Sequence, residues 1–114
     1  MPNDSSELQG REQLLQMLLR ACEDAEHEVK TLFGCKGVFR ESCVFGLIWK
    51  SGRIALKLPD IRLRKELLNT AGAEPWTVGN KTMKEWVLVP EQFHRRPAKL
   101  RHWTLIAYSL ATHE

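Results

Sequence analysis

Apolar positions recur with two different periods along this chain, and each change of period marks an element. In the first quarter, Leu8, Leu15, Leu18, Leu19 and Cys22 fall on one helical face. Glu12, Gln13, Gln16, Arg20, Glu23 and Asp24 take the opposite face, so an amphipathic helix is expected. Ser5 or Ser6 can cap it, and it is expected to end near Glu28. Gly10 weakens its first turn by about 1 kcal/mol relative to alanine. Residues 1–5 are polar and are expected to be disordered.

The period then shortens. Residues 30–33 suit a strand, the stretch FGCKG interrupts it, and Val38-Phe39 resumes. Residues 42–49, SCVFGLIW, are rich in β-branched and aromatic side chains. After the turn signal Lys50-Ser51-Gly52, residues 53–58 alternate: Ile54, Leu56 and Leu58 on one side, Arg53, Ala55 and Lys57 on the other. The two runs read as a β-hairpin. Pro59-Asp60 opens a second helix, in which Ile61, Arg64, Leu67 and Leu68 are helically spaced and which Asn69 and Gly72 stop. Residues 75–78 and 82–89 give two more strands joined through Gly79-Asn80, and Pro90 ends the second. EQFHRRP reads as a loop. The last helix, 97–111, carries Leu100, Trp103, Thr104, Ala107, Leu110 and Ala111 on one face, widened by Leu105, Ile106 and Tyr108.

The expected order is therefore α-β-β-β-α-β-β-α, an α+β fold built as a two-layer sandwich with an antiparallel sheet. In the last strand Met83, Val87 and Val89 are expected to point one way and Trp86 and Leu88 the other. Both faces of the sheet then carry apolar residues. An exposed apolar face marks an interface, so a homodimer is one expectation. Cover by loops or a terminus is the other.

Composition narrows the class. A chain of 114 residues with 43% hydrophobic content suits one domain, placed at residues 6–114. The net charge of +3 permits an anionic partner without requiring one. The three cysteines lack a CxxC spacing, which favours a reducing, cytoplasmic setting over a disulfide framework. The polar N-terminus has no apolar signal core, and no apolar run is long enough for a membrane span, so no membrane association is expected.

Several short elements, taken in order, carry a resemblance. Phe33-Gly34, Gly37 and Phe39 are similar to an early Met-Phe-Gly-Gly-x-Gly signature, and Phe45 stands where Met-Phe-Ala is usual. Leu56-Lys57 is similar to a Leu-x-Leu-Lys run, and Gly72, Pro75 and Trp76 to Gly-x-x-Pro-Phe. Residues 83–90 are similar to a Met-x-Tyr-Tyr-x-Val-Pro strand end, and a helix around Leu100 and Trp103 follows. This ordered set resembles the TfoX N-terminal domain family, named for a bacterial regulator of competence for DNA uptake, over residues 8–112. The resemblance implies an α+β fold with an antiparallel sheet, here as a stand-alone version. The chain departs from the pattern at Thr31-Leu32, where arginine is usual, at Cys35 and Lys36, where glycine and an aromatic are usual, and at Glu85-Trp86 in place of Tyr-Tyr.

The candidate chemistry is sparse. Gly34-Cys35-Lys36-Gly37 has the G-x-x-G form of a KH loop, but such a loop joins helices and this one leads into strands. A turn or bulge with Phe33 anchored in the core is expected instead. Cys35, beside Lys36, is the candidate reactive thiol, in a flexible setting with no histidine near it in sequence. Cys22, His27, Cys35 and Cys43 supply four potential zinc ligands, with spacings that match no finger or ribbon. Two basic clusters, Arg62, Arg64 and Lys65, and Arg95, Arg96, Lys99 and Arg101 with His94 and His102, are candidate phosphate contacts. Trp86 and Trp103 read as core rather than stacking platforms. With no nucleophile elbow, paired-carboxylate motif, dinucleotide fingerprint or Walker loop, the chain is expected to be a non-enzyme without cofactor or metal. The reading is a regulatory protein-interaction module with an unidentified protein partner; nucleic-acid binding through the basic clusters is the alternative.

Overall fold

The computed structural model describes the backbone of residues 2–111 and the side chains of residues 9–111. Helix α1 runs Pro2–Ala21 and is followed by four strands: β1 Glu28–Leu32, β2 Cys35–Arg40, β3 Cys43–Trp49 and β4 Arg53–Lys57. Helix α2, Ile61–Leu68, leads to β5 Glu74–Val78 and β6 Lys81–Leu88. A short 3-10 helix, Glu91–Arg95, then leads to α3, Pro97–Leu110. The six strands form one open antiparallel sheet in the order β1-β2-β3-β4-β6-β5. The α+β class and the antiparallel sheet are as expected.

Three boundaries differ from the sequence reading. Helix α1 begins at Pro2 and stops at Ala21, well before Glu28. Glu23, Asp24 and Glu26 would lie at the negative end of the helix dipole, where carboxylates are unfavourable. The chain instead turns, with Cys22, Glu23 and Ala25 each donating to the carbonyl three residues back. Residues 2–5 of the segment expected to be disordered fall within α1; Met1 lies outside the described residues, and so does the side chain of Leu8. Second, FGCKG does not interrupt one strand but reverses the chain between two. Leu32 pairs with Cys35, leaving Phe33-Gly34 as a two-residue turn, so four strands rather than three precede α2. Third, part of the EQFHRRP loop is the 3-10 helix, pinned by the buried ring of Phe93.

All three helices cover the same face of the sheet. Leu14, Leu15 and Leu18 of α1, Leu67 of α2, and Leu100, Trp103 and Ala107 of α3 join Phe45, Ile54, Leu56, Val87 and Val89 in one core. The alternation read for β4 holds, with Ile54, Leu56 and Leu58 in this core. At Gly46 an added Cβ would stand 3.1 Å from Leu18 Cδ2, so the missing side chain lets α1 approach β3. Helix α2 is capped by Asp60, which accepts from the backbone N–H of Arg62 at 2.9 Å and Leu63 at 3.1 Å.

The opposite face carries a second, smaller core: Cys35, Leu47, Ala55, Trp76, Trp86 and Leu88. No helix among the described residues packs on it. Met83 belongs to this group, against the side expected for it. The pairing of β5 with β6 is irregular between Pro75 and Thr77, which breaks the simple alternation along β6.

Candidate functional site

The second face is closed by a side chain from its far edge. Trp76 sits on the edge strand β5 and is 0% exposed. Its ring meets Trp86 at 4.9 Å and Trp49 at 5.1 Å between centroids, both edge-on. It also meets Phe33 at 6.0 Å, edge-on. Phe33 lies in the β1–β2 turn, at the other end of the sheet. In a flat sheet β2 and β5, four places apart, would be about 19 Å from each other. The ring contact therefore requires that the sheet coil, which its right-handed twist permits. Ala55 and Gly37 keep the centre of this face shallow enough for Trp76 to lie across it.

Phe33 is the unusual member. Its φ is +54°, and that of Gly34 is +74°, so both turn residues lie in the left-handed region that a type I′ hairpin turn needs. Asn-Gly is the favoured pair there, and a bulky residue is disfavoured. Phe33 is nevertheless 53% exposed, so the expected core anchor stands at the surface. Leu32, Val44, Trp49, Val78 and Met83 are partly buried and give the face an apolar rim. Lys50 lies over the Trp49 ring at 5.1 Å, and Lys30 over the Phe39 ring at 5.4 Å. The indole Nε1 of Trp76 is buried without a hydrogen-bond partner among the described residues.

The other signature residues have structural positions. Phe45 is fully buried against Tyr108, ring centroids 5.3 Å apart. Lys57 approaches Glu85 at 3.8 Å. Gly72, at φ +91°, offers its carbonyl to Arg53, and Pro90 packs close to it. Pro75 sits on the edge strand β5, where no ladder N–H is needed. Arg53, which the sequence did not single out, ties these parts together. Its guanidinium donates to Glu74 at 2.7 Å, Gly72 O at 2.8 Å and Val89 O at 2.9 Å.

Cys35 is not in a flexible loop. It begins β2 and is 9% exposed. It lines a cavity of about 210 Å³ with Arg11, Glu12 and Lys36. Cys22 donates to Leu18 O, and burial pushes its thiol up to about 11, as suits a core cysteine. No three of Cys22, His27, Cys35 and Cys43 come together as metal ligands. Gly34-Cys35-Lys36-Gly37 spans a turn and a strand, which is not the helix-joining setting of a KH loop.

The basic clusters stay on separate helices. Arg62, Arg64 and Lys65 are on α2, where Arg64 donates to Leu58 O. Arg95 and Arg96 precede α3, which carries Lys99 and Arg101; Arg101 pairs with Asp24 at 3.4 Å. Among the described residues no hydrogen bond or ion pair joins the two groups. Trp103 is core, as read from the sequence, and so is Trp86, in the smaller cluster. No helix among the described residues is long and apolar enough to cross a membrane.

The family model of the TfoX N-terminal domain matches residues 17–111, from the last turns of α1 to the end of α3. No curated protein and no solved structure matches the chain.

Proposed function

Because the chain belongs to the TfoX N-terminal domain family, we propose that it is a non-enzymatic, regulatory protein-interaction module whose contact surface is the helix-free face of the sheet. The observation that carries this reading is Phe33, half exposed beside a fully buried tryptophan in a backbone conformation that a bulky residue avoids. Such departures from local preference concentrate at functional positions. Catalysis draws no comparable support: Cys22 is a core thiol and Cys35 is packed in a strand.

The test compares the unmodified chain with Phe33→Asp in light scattering and in capture from a bacterial lysate. The reading expects self-association or a captured protein that Phe33→Asp removes while circular dichroism stays unchanged. A monomer that captures nothing ends it, and so does capture indifferent to Phe33→Asp. The nucleic-acid alternative makes a different demand: a DNA or RNA mobility shift that weakens steeply with salt and in Arg95→Ala with Arg96→Ala.

A further inference from the structure

Three features of the helix-free face point to the chemistry of what covers it. The first is an unmet donor. Trp76 is 0% exposed, yet its Nε1–H finds no acceptor among the described residues. A buried donor of this kind is costly unless something supplies an oxygen. The second is a removable neighbour. Phe33 rests edge-on against Trp76 from a turn in which asparagine would fit better, and half of its ring is already in water. The turn can shift the Phe33 ring against Trp76 without disturbing the ladder, because Leu32 and Cys35 pair on either side of it.

The third is charge. Lys30 and Lys50 stand over aromatic rings on this side of the sheet, and neither pairs with a carboxylate among the described residues. Lys57, by contrast, is already engaged by Glu85. Glu28, two residues from Lys30 on β1, is the nearest acid along that strand. A second copy stacked on this face would bring these lysines toward their own equivalents, and the chain carries a net charge of +3.

We infer that the helix-free face takes an acidic segment of a partner protein that also carries an aromatic side chain. The ring enters beside Phe33 against Trp49 and Trp76, an oxygen of the segment accepts the Trp76 Nε1–H, and carboxylates pair with Lys30 and Lys50. This rests on the interaction reading above and adds the partner's chemistry to it.

The probe is a random copolymer of glutamate and tyrosine, titrated into the 15N-labelled full chain. Poly-glutamate and a lysine–tyrosine copolymer serve as controls. The expected result is a saturable shift of the Trp76 indole signal with the glutamate–tyrosine copolymer alone. Lys30→Ala with Lys50→Ala should weaken binding at least tenfold, and so should Phe33→Asn, which keeps a favourable turn. The proposal is overturned if the indole signal does not move. It is equally overturned if poly-glutamate or the lysine–tyrosine copolymer binds as well, or if the variants bind unchanged. Light scattering that shows a dimer lost in Phe33→Asp would also overturn it, since a second copy then covers the face. A failed titration with capture still abolished by Phe33→Asp refutes the partner chemistry and leaves the interaction reading standing.

Discussion

Replacing Phe33 by alanine and by asparagine separates the ring from the backbone beneath it. Phe33 is 53% exposed, so roughly half of its surface is buried. A phenylalanine buries on the order of 150–250 Å² when fully covered, so about 100 Å² is removed from water here. At about 25 cal/mol per Å² that is about 2.5 kcal/mol, an upper figure because the unfolded chain also hides some surface. Both variants lose this ring. Alanine keeps the cost of a left-handed φ, about 1–2 kcal/mol for an ordinary residue, whereas asparagine before Gly34 suits a type I′ turn. Phe33→Ala is therefore expected to lose about 2–3 kcal/mol, and Phe33→Asn about 1 kcal/mol less than that. Urea unfolding followed by far-UV circular dichroism measures the difference. An alanine variant as stable as the asparagine variant would show that the turn is not strained at residue 33. Full wild-type stability in both would show that the Phe33–Trp76 contact contributes nothing.

Other consequences follow from the second core and its supports. Trp76→Ala should cost about 3–5 kcal/mol, as for other buried tryptophans, and should expose Trp49 and Trp86 to fluorescence quenchers; Trp76→Phe should cost less, because it also removes an unbonded N–H. Arg53→Met leaves the carbonyls of Gly72 and Val89 without the guanidinium and should cost about 1–3 kcal/mol in the same urea assay. His94 titrates below its ordinary value of 6.5, chiefly through burial and with a smaller contribution in the same direction from Arg53; Glu91 acts in the opposite direction. A group whose folded value is lowered supports the fold above its unfolded value and withdraws that support as pH falls through the folded value. Thermal midpoints of the wild type should therefore fall below about pH 6.5 more steeply than those of His94→Gln, and parallel profiles would exclude His94 as the cause.

The helices were largely legible because their signals are local. Asp60 caps α2 as its position before Ile61 suggests, and α3 buries Leu100, Trp103, Thr104 and Ala107 in the helical spacing read from the chain. The miscounted strand came from turn chemistry. A Phe-Gly pair is not a usual type I′ signal, and Glu41-Ser42, which also takes positive φ between β2 and β3, carries none. The two apolar faces of the sheet were visible in the sequence, but the closing of one of them was not. It depends on Trp76 reaching across from an edge strand, a tertiary fact with no periodic trace. Arg53 was read as one polar side of an alternating strand. Its bonds reach residues 19 and more positions away, to Gly72, Glu74 and Val89, and no spacing rule joins them.

On the proposed reading, contact is made through the helix-free face rather than through the basic helices. Backbone amide shifts of the 15N-labelled chain under the glutamate–tyrosine copolymer test it most directly. The largest shifts are expected at Leu32, Phe33 and Gly34, at Trp49 and Lys50, and around Trp76. Largest shifts at Arg62, Arg64 and Lys65, or at Arg95, Arg96 and Lys99, with the Trp76 region unmoved, would contradict it.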